Sequence, residues 1–209
     1  MDVVLIHTVA TLPSVFDRLL AEHVPAARPT HVVDESLLAD TIAHGMLPAT
    51  RRRLAGHVAA AEDAGAEAVL VTCSSLGEAA ELVRPFAGIP VYRVDTPMAV
   101  EAVTAGDRIA VLATLESTLG PTRRLLAREA ERLGRHPAIT ASLCPGAFEA
   151  QRGGDPGRHD ELVLAEARRL AATADVLVLA QASMARALTT DLGTPVLTSP
   201  TSAVRQLSP

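Results

Sequence analysis

The stretch AVLVTCSSLGEAAEL, residues 68–82, decides how this chain is read. Ala68 to Thr72 is a short apolar run rich in valine, the pattern of a buried strand, and the Ala/Leu/Glu-rich segment behind it has helical spacing. The junction delivers a cysteine and two serines, Cys73, Ser74 and Ser75, straight into the helix start. Ser75 and Glu78 stand three apart, as in a capping box, so Cys73 is expected just before a helix N-terminus, a position that favours the thiolate. Residues 176–188, VLVLAQASMARAL, follow the same plan with Gln181 where the first stretch has Cys73.

That correspondence extends along the chain. VVLIHTVATLPSVFDRLL from Val3 aligns without a gap on IAVLATLESTLGPTRRLL from Ile109, and GIPVYRVDTPMAVEAV matches GTPVLTSPTSAVRQL with a one-residue slip. Three matches in the same order indicate an internal duplication. Strands are expected at 3–7, 30–33, 68–72, 90–93, 108–113, 139–143, 176–180 and 195–197. Helices are expected in most of the gaps, most clearly at 49–64, 122–133 and 159–174. Alternation of this kind builds parallel sheets. The fold class is therefore α/β, with two pseudo-symmetric lobes from duplication, each a short parallel sheet flanked by helices. The first lobe takes residues 1–96 plus 200–209 and carries Cys73; the second takes 97–199 and carries Gln181. The Gly/Pro-rich stretch CPGAFEAQRGGDPGRHD, residues 144–160, reads as a long loop.

Bulk properties narrow the function. The chain has 209 residues, 48% of them hydrophobic but only 2% aromatic, so its core is built from Ala, Val, Leu and Ile. A formal charge of −5 offers no basic stripe for phosphate neutralisation, which argues against nucleic acid. The run Arg51, Arg52, Arg53 reads as a solvated helix face. No apolar stretch approaches the ~20 residues needed to span a bilayer, and the first ten residues lack the basic flank of a signal peptide. A cytoplasmic protein with no membrane partner is expected, whose two cysteines, Cys73 and Cys144, remain reduced. No spacing of His, Cys or carboxylates amounts to a metal site. Homo-oligomerisation is left open.

In parallel α/β sheets, ligands meet the carboxyl ends of strands, where helix N-termini also point. Four polar strand ends qualify: His7 with Thr8, Thr72 to Ser75, Thr114 to Thr118, and Gln181 to Ser183. Facing lobes would enclose a cleft ringed by hydroxyls, N–H groups and one thiol. Each residue also has an ordinary reading. Cys73 could be inert core, His7 a satisfied core-edge histidine, Ser183 a helix cap, and Asp34, Glu35 and Ser36 a cap at the second strand.

At V-T-C-S-S (71–75), A-T-L-E-S-T (113–118) and D-x-L-V-L-A before Gln181, the sequence resembles the aspartate/glutamate racemase superfamily, which includes amino-acid racemases, maleate isomerase, hydantoin racemase and arylmalonate decarboxylase. The resemblance runs over nearly the whole chain. It implies a cofactor-independent isomerase or lyase acting at the α-carbon of a small carboxylate or amino acid, with a cysteine from each lobe on opposite faces of that carbon. Cys73 matches the first-lobe cysteine. Ser74, Ser75, Thr114, Ser117 and Thr118 match the groups that hold substrate carboxylate, and His7, Thr8 and Ser183 join them as candidates at the same strand ends. Gln181 replaces the second cysteine. A neutral amide cannot take a proton, but it can donate a hydrogen bond where negative charge develops. One thiol suits stereospecific protonation after decarboxylation, a one-sided tautomerisation, or addition to an activated double bond. Two alternatives stay open: a true racemase whose second base is His7 or Cys144, and a carboxylate-binding protein without turnover.

Overall fold

The computed structural model describes residues 1–208; Pro209, the end of the sequence-assigned first lobe, lies outside the described residues. The chain divides into two compact units, Met1–Val94 together with the segment from Pro200, and Asp95–Ser199. The first unit contains β1 (Asp2–His7), α1 (Leu12–His23), β2 (Arg28–Val33), α2 (Glu35–His44), α3 (Pro48–Asp63), β3 (Ala68–Val71), α4 (Gly77–Val83) and β4 (Val91–Arg93). The second contains α5 (Thr96–Ala105), β5 (Arg108–Ala113), α6 (Glu116–Arg132), β6 (Ala138–Leu143), α7 (Ala147–Arg152), α8 (Pro156–Ala171), β7 (Val176–Leu179) and β8 (Val196–Thr198). The helix α9 (Ser199–Arg205) then enters the segment that belongs to the first unit.

Each unit is a four-stranded parallel sheet, ordered β2-β1-β3-β4 in one and β6-β5-β7-β8 in the other. The central strands are apolar along their length because helices cover both their faces. In the second unit Ile109, Val111, Val176 and Val178 pack with Leu125, Leu126 and Ala102, while the alternate residues Ala110, Leu112, Leu177 and Leu179 pack with Val163, Ala167 and Leu170 of α8. The edge strands β2 and β6 alternate between half-buried and exposed. Register follows the duplication: Val3 lies opposite Ala68 and Ile109 opposite Val176, and these pairs correspond in the repeat.

All eight expected strands form, within two residues of their expected ends. Three local expectations are corrected. Residues 144–160 are not one loop: Gly146, at φ 77°, turns the chain into α7, and Asp155 caps α8 by accepting the Arg158 N–H at 2.9 Å. The helix expected from 122 begins at Glu116 and contains Pro121, whose missing N–H leaves out one backbone bond of the helix. Ser75 is not a helix N-cap. Ser74–Leu76 forms a single 3-10 turn, and α4 starts behind it with Leu76 at the cap position. By contrast, Asp34 does cap α2, accepting the Ser36 N–H at 3.1 Å. The side chains of Arg51 to Arg53 are exposed on α3, where Arg53 pairs with Asp40.

Gly77 shows why the turn after Cys73 is built as it is. A methyl group there would overlap the guanidinium of Arg93, which is buried to 1% exposure and donates to Glu81 at 2.9 Å. The glycine lets α4 start directly against that ion pair. Gly77→Ala should lower stability by about 1 to 3 kcal/mol through overpacking, read as a reduced urea midpoint with an unchanged slope.

Candidate functional site

The strand order of each sheet reverses between its two central strands, β1 and β3 in one unit, β5 and β7 in the other. Parallel α/β sheets take their ligands outside the carboxyl ends of the strands at such a reversal. In the first unit that point carries His7 and Thr8 beside Thr72 and Cys73. In the second it carries Thr114 beside Gln181. The structure thus brings the expected residues to one end of each sheet.

Cys73 is extended (φ −114°, ψ 114°) and 9% exposed, the last residue before the 3-10 turn. Its sulfur meets the Thr8 and Ser75 side chains and the backbone N–H groups of Ser75 and Leu76. These donors favour thiolate, but burial outweighs them and pushes the pKa above the ordinary thiol value. The activated thiolate expected from sequence is therefore not the resting state of this unit. Sequence shows the helix start; it does not show the desolvation. Cys144 is also buried with a raised pKa, from burial and the Glu166 carboxylate. Charge near Cys144 repels a thiolate, whereas the groups around Cys73 welcome one. Ser74 and Ser75 are both buried in the turn.

Gln181 occupies the repeat-equivalent place in the second unit, also extended (φ −129°, ψ 137°) and followed by a 3-10 segment, Ala182–Ala187. Its Oε1 accepts the Thr114 N–H at 2.6 Å and the Thr114 hydroxyl at 3.0 Å. A backbone N–H can only donate, so the amide orientation is fixed and Nε2 is left as a donor. Thr114 and Thr8 are themselves equivalent in the repeat. Each unit therefore ties the threonine after its first strand to the residue that leaves its third, Thr8 to Cys73 and Thr114 to Gln181. The Thr114 donors are committed to Gln181. Thr118 is buried and Ser117 half-buried in the first turn of α6. Ser183 is half-buried and provides no cap, that position being held by Gln181 without a side-chain bond.

His7 is fully buried, with both ring nitrogens engaged. Nδ1 lies 2.8 Å from the Thr72 hydroxyl, and Nε2 lies 2.8 Å from His31 Nδ1. His31 Nε2 is 2.9 Å from the Asp17 carboxylate. Burial, and next the neighbouring His31, hold the His7 pKa down to about 4. His31 escapes a sequence reading because it meets His7 only through the β1–β2 pairing, and Asp17, on α1, because it joins them only through His31. The available signal was a histidine on each of two adjacent strands, with an acid ten residues beyond the first.

Among the described residues, no group of three or more His, Cys, Asp or Glu side chains could hold a metal ion, and no helix is long and apolar enough to cross a membrane.

The model of the Asp/Glu/Hydantoin racemase family matches residues 6–207. Among solved structures, glutamate racemase from Aquifex pyrophilus is similar at 18% identity and a TM-score of 0.72, over 99% of this chain and 82% of that one. Allantoin racemase from Klebsiella pneumoniae is similar at 17% identity and a TM-score of 0.71, over 99% and 85%. A glycine-to-cysteine mutant of arylmalonate decarboxylase, in a sulfate-associated form, is similar at 18% identity and a TM-score of 0.61, over 98% and 92%. No curated protein matches.

Two measurements check the site. Thr8→Val should raise the Cys73 pKa further and slow its alkylation by iodoacetamide roughly tenfold at fixed pH, the scale of a hydrogen bond to a charged group, with labelling located by mass spectrometry. His7 titrates near 6.5 when unfolded and near 4 when folded. The unfolded chain therefore binds more protons between those values, and stability should fall as pH drops from 6.5 to 4. Urea midpoints of the wild type across that window should show the loss, and His7→Gln should flatten it.

Proposed function

Because this chain belongs to the Asp/Glu/Hydantoin racemase family, and is an enzyme of that family, we propose that it carries out one-thiol chemistry at the α-carbon of a small carboxylate or amino acid, without a cofactor. Cys73 is the acid/base or nucleophile. Gln181 is the hydrogen-bond donor to the oxyanion that develops as the α-carbon becomes a carbanion. The observation that carries this reading is the equivalence of the Thr8–Cys73 and Thr114–Gln181 contacts: the second unit keeps the geometry of the site while replacing the thiol by an amide.

The chemistry follows from that exchange. Racemisation takes a proton from one face of the carbon and returns one to the other, so it needs two acid/base groups. Gln181 supplies none. A thiol on one face suits a reaction that needs a single stereospecific proton delivery. Loss of carbon dioxide leaves an enolate whose carbon takes the proton from the Cys73 thiol, whereas in a one-sided isomerisation the thiolate form of Cys73 takes the substrate proton and returns it to the same face. The enolate oxygen accepts from Gln181 Nε2 throughout. Ser74, Ser75, Ser117, Thr118 and Ser183 are the groups assigned to the substrate carboxylate; Thr8 and Thr114 orient the two working side chains. The raised pKa of the free thiol fits a group that delivers a proton more readily than it holds a negative charge.

A panel of small mono- and dicarboxylates, malonates and amino acids in deuterated buffer tests this. Deuterium should enter one α-carbon with retained optical activity. Cys73→Ser should abolish turnover with binding little changed. Gln181→Ala should reduce kcat about a hundred- to a thousandfold, the cost of one oxyanion donor. Native turnover by Cys73→Ser, or loss of optical activity with the wild type, defeats the reading.

A further inference from the structure

We propose that Arg186 is the positioning residue for Gln181: anchored by Asp160 and Gln151, it holds the 3-10 run that Gln181 begins and so sets where the Gln181 Nε2 donor stands. The kinetic side of this rests on Gln181 being the donor to the developing oxyanion. Three elements meet at the guanidinium. Its Nε donates to Asp160 of α8, 2.9 Å from one carboxylate oxygen and 3.1 Å from the other, and its second terminal nitrogen donates to the Gln151 side-chain oxygen of α7. Asp160 is held from the other side as well, with its Oδ1 2.6 Å from Nδ1 of the fully buried His159. Burial works against the carboxylate, but the bonds from His159 and Arg186 outweigh it and keep the Asp160 pKa below its ordinary value. The anchor is charged at neutral pH.

The run needs such a tie. Hydrogen bonds are poorer in a 3-10 helix and side chains eclipse, so runs beyond three or four residues are uncommon, and this one has six, Ala182–Ala187. Only Met184 and Ala187 within it are buried. In the first unit the turn after Cys73 is three residues long and passes into α4, whose Glu81 is fastened to the buried Arg93. The second unit has no α-helix between Gln181 and β8. Where Arg186 stands the repeat has Glu78 in the first unit, so the arginine belongs to the half that lacks the helix. It supplies there the hold that α4 supplies in the other.

Gln181 is gripped at two points. Its carbonyl accepts the Met184 N–H at 3.1 Å, the first bond of the run, and its side-chain Oε1 accepts from Thr114 at 2.6 and 3.0 Å. With backbone and oxygen both held, Nε2 has one direction to point. Release of the run leaves the amide tethered at its oxygen and free to pivot about Thr114, which moves the donor while the Thr114 contacts survive. A misplacement of about 1 Å can cost about a hundredfold in rate. Arg186 acts on the reaction only by way of Gln181.

Side-chain amide NMR reads the positioning without turnover. The chain has three glutamines, Gln151, Gln181 and Gln206, and no asparagine, so the NH2 region of a nitrogen-15 spectrum holds three pairs, assigned with Gln151→Ala and Gln181→Ala. Arg186→Lys keeps the charge but loses the planar fork, and Asp160→Asn removes the anchoring carboxylate. Each should lower the heteronuclear NOE of the Gln181 pair toward that of a mobile side chain and leave Gln206, in the other unit, unmoved. Loss of a merely structural contact would lower the urea midpoint without mobilising this one amide. Gln151→Ala cuts the second anchor and spares the ion pair, so it should mobilise Gln181 by a smaller amount in a chain that still folds. Arg186→Lys should also lower kcat about ten- to a hundredfold with KM nearly unchanged. In a Gln181→Ala background the same substitution should change kcat by less than about twofold, because the donor it places is gone. A Gln181 amide as rigid in the folded variants as in the wild type, or kcat losses that multiply in the double variant, overturns the proposal. A mobilised amide with kcat indifferent to Gln181→Ala upholds the positioning and removes Gln181 from the mechanism.

Discussion

Parallel pairing of the first and third strands sets the chemistry of each unit. Two strands in register end side by side, and the chain leaving each end has its neighbour within hydrogen-bond reach. Thr8 meets Cys73 and Thr114 meets Gln181 because Val3 is opposite Ala68 and Ile109 is opposite Val176. A one-residue slip in either pairing would turn the side chains of the slipped strand to the opposite face and separate the pair that this pairing holds. Apolar burial of the central strands enforces the register. Precision at the polar end is thus inherited from packing at the apolar middle.

The two halves share this frame and spend it differently. In the first, the thiol is held among hydroxyl and N–H donors while desolvation keeps its proton on. In the second, the amide oxygen is bound by Thr114 and its nitrogen is left as a donor. The first half also carries the polar line inward from Asp17, where the second has alanines, Ala113 and Ala180, at the places of His7 and Thr72. Polar groups buried in a sheet this apolar need partners, and His31, His7 and Thr72 each have one on both sides. Specialisation after duplication can be read as a difference in what lies behind the strand ends, as well as in what stands on them.

Much of this was legible in the sequence because the central strands are covered on both faces and read as continuous apolar runs, and because the repeat locates the weaker edge strands by analogy. The candidate residues at 7–8, 72–75, 114 and 181 follow from where those runs stop. What stayed hidden depends on tertiary distance or on local bonding that periodicity does not report. A six-residue helix between Gly146 and Gly153 is too short to show a period. The 3-10 turn at Ser74–Leu76 differs from an α-helical start only in the offset of its hydrogen bonds. His31 becomes a partner of His7 only when β2 lies against β1, and Asp17 joins them only through His31. The upward pKa of Cys73 comes from solvent exclusion, which a capping pattern cannot reveal.

The segment from Pro200 belongs to the first unit although the whole second unit precedes it in the chain. Ala203, Val204 and Leu207 are buried there, and the Gln206 side chain donates to the Arg93 carbonyl at 3.4 Å. During synthesis the first unit emerges early but lacks this piece until residues 95–199 have been made. The half that bears the cysteine is therefore completed last, after the half that bears the amide. A ribosome-bound chain would hold its thiol in an unfinished unit for most of its translation time.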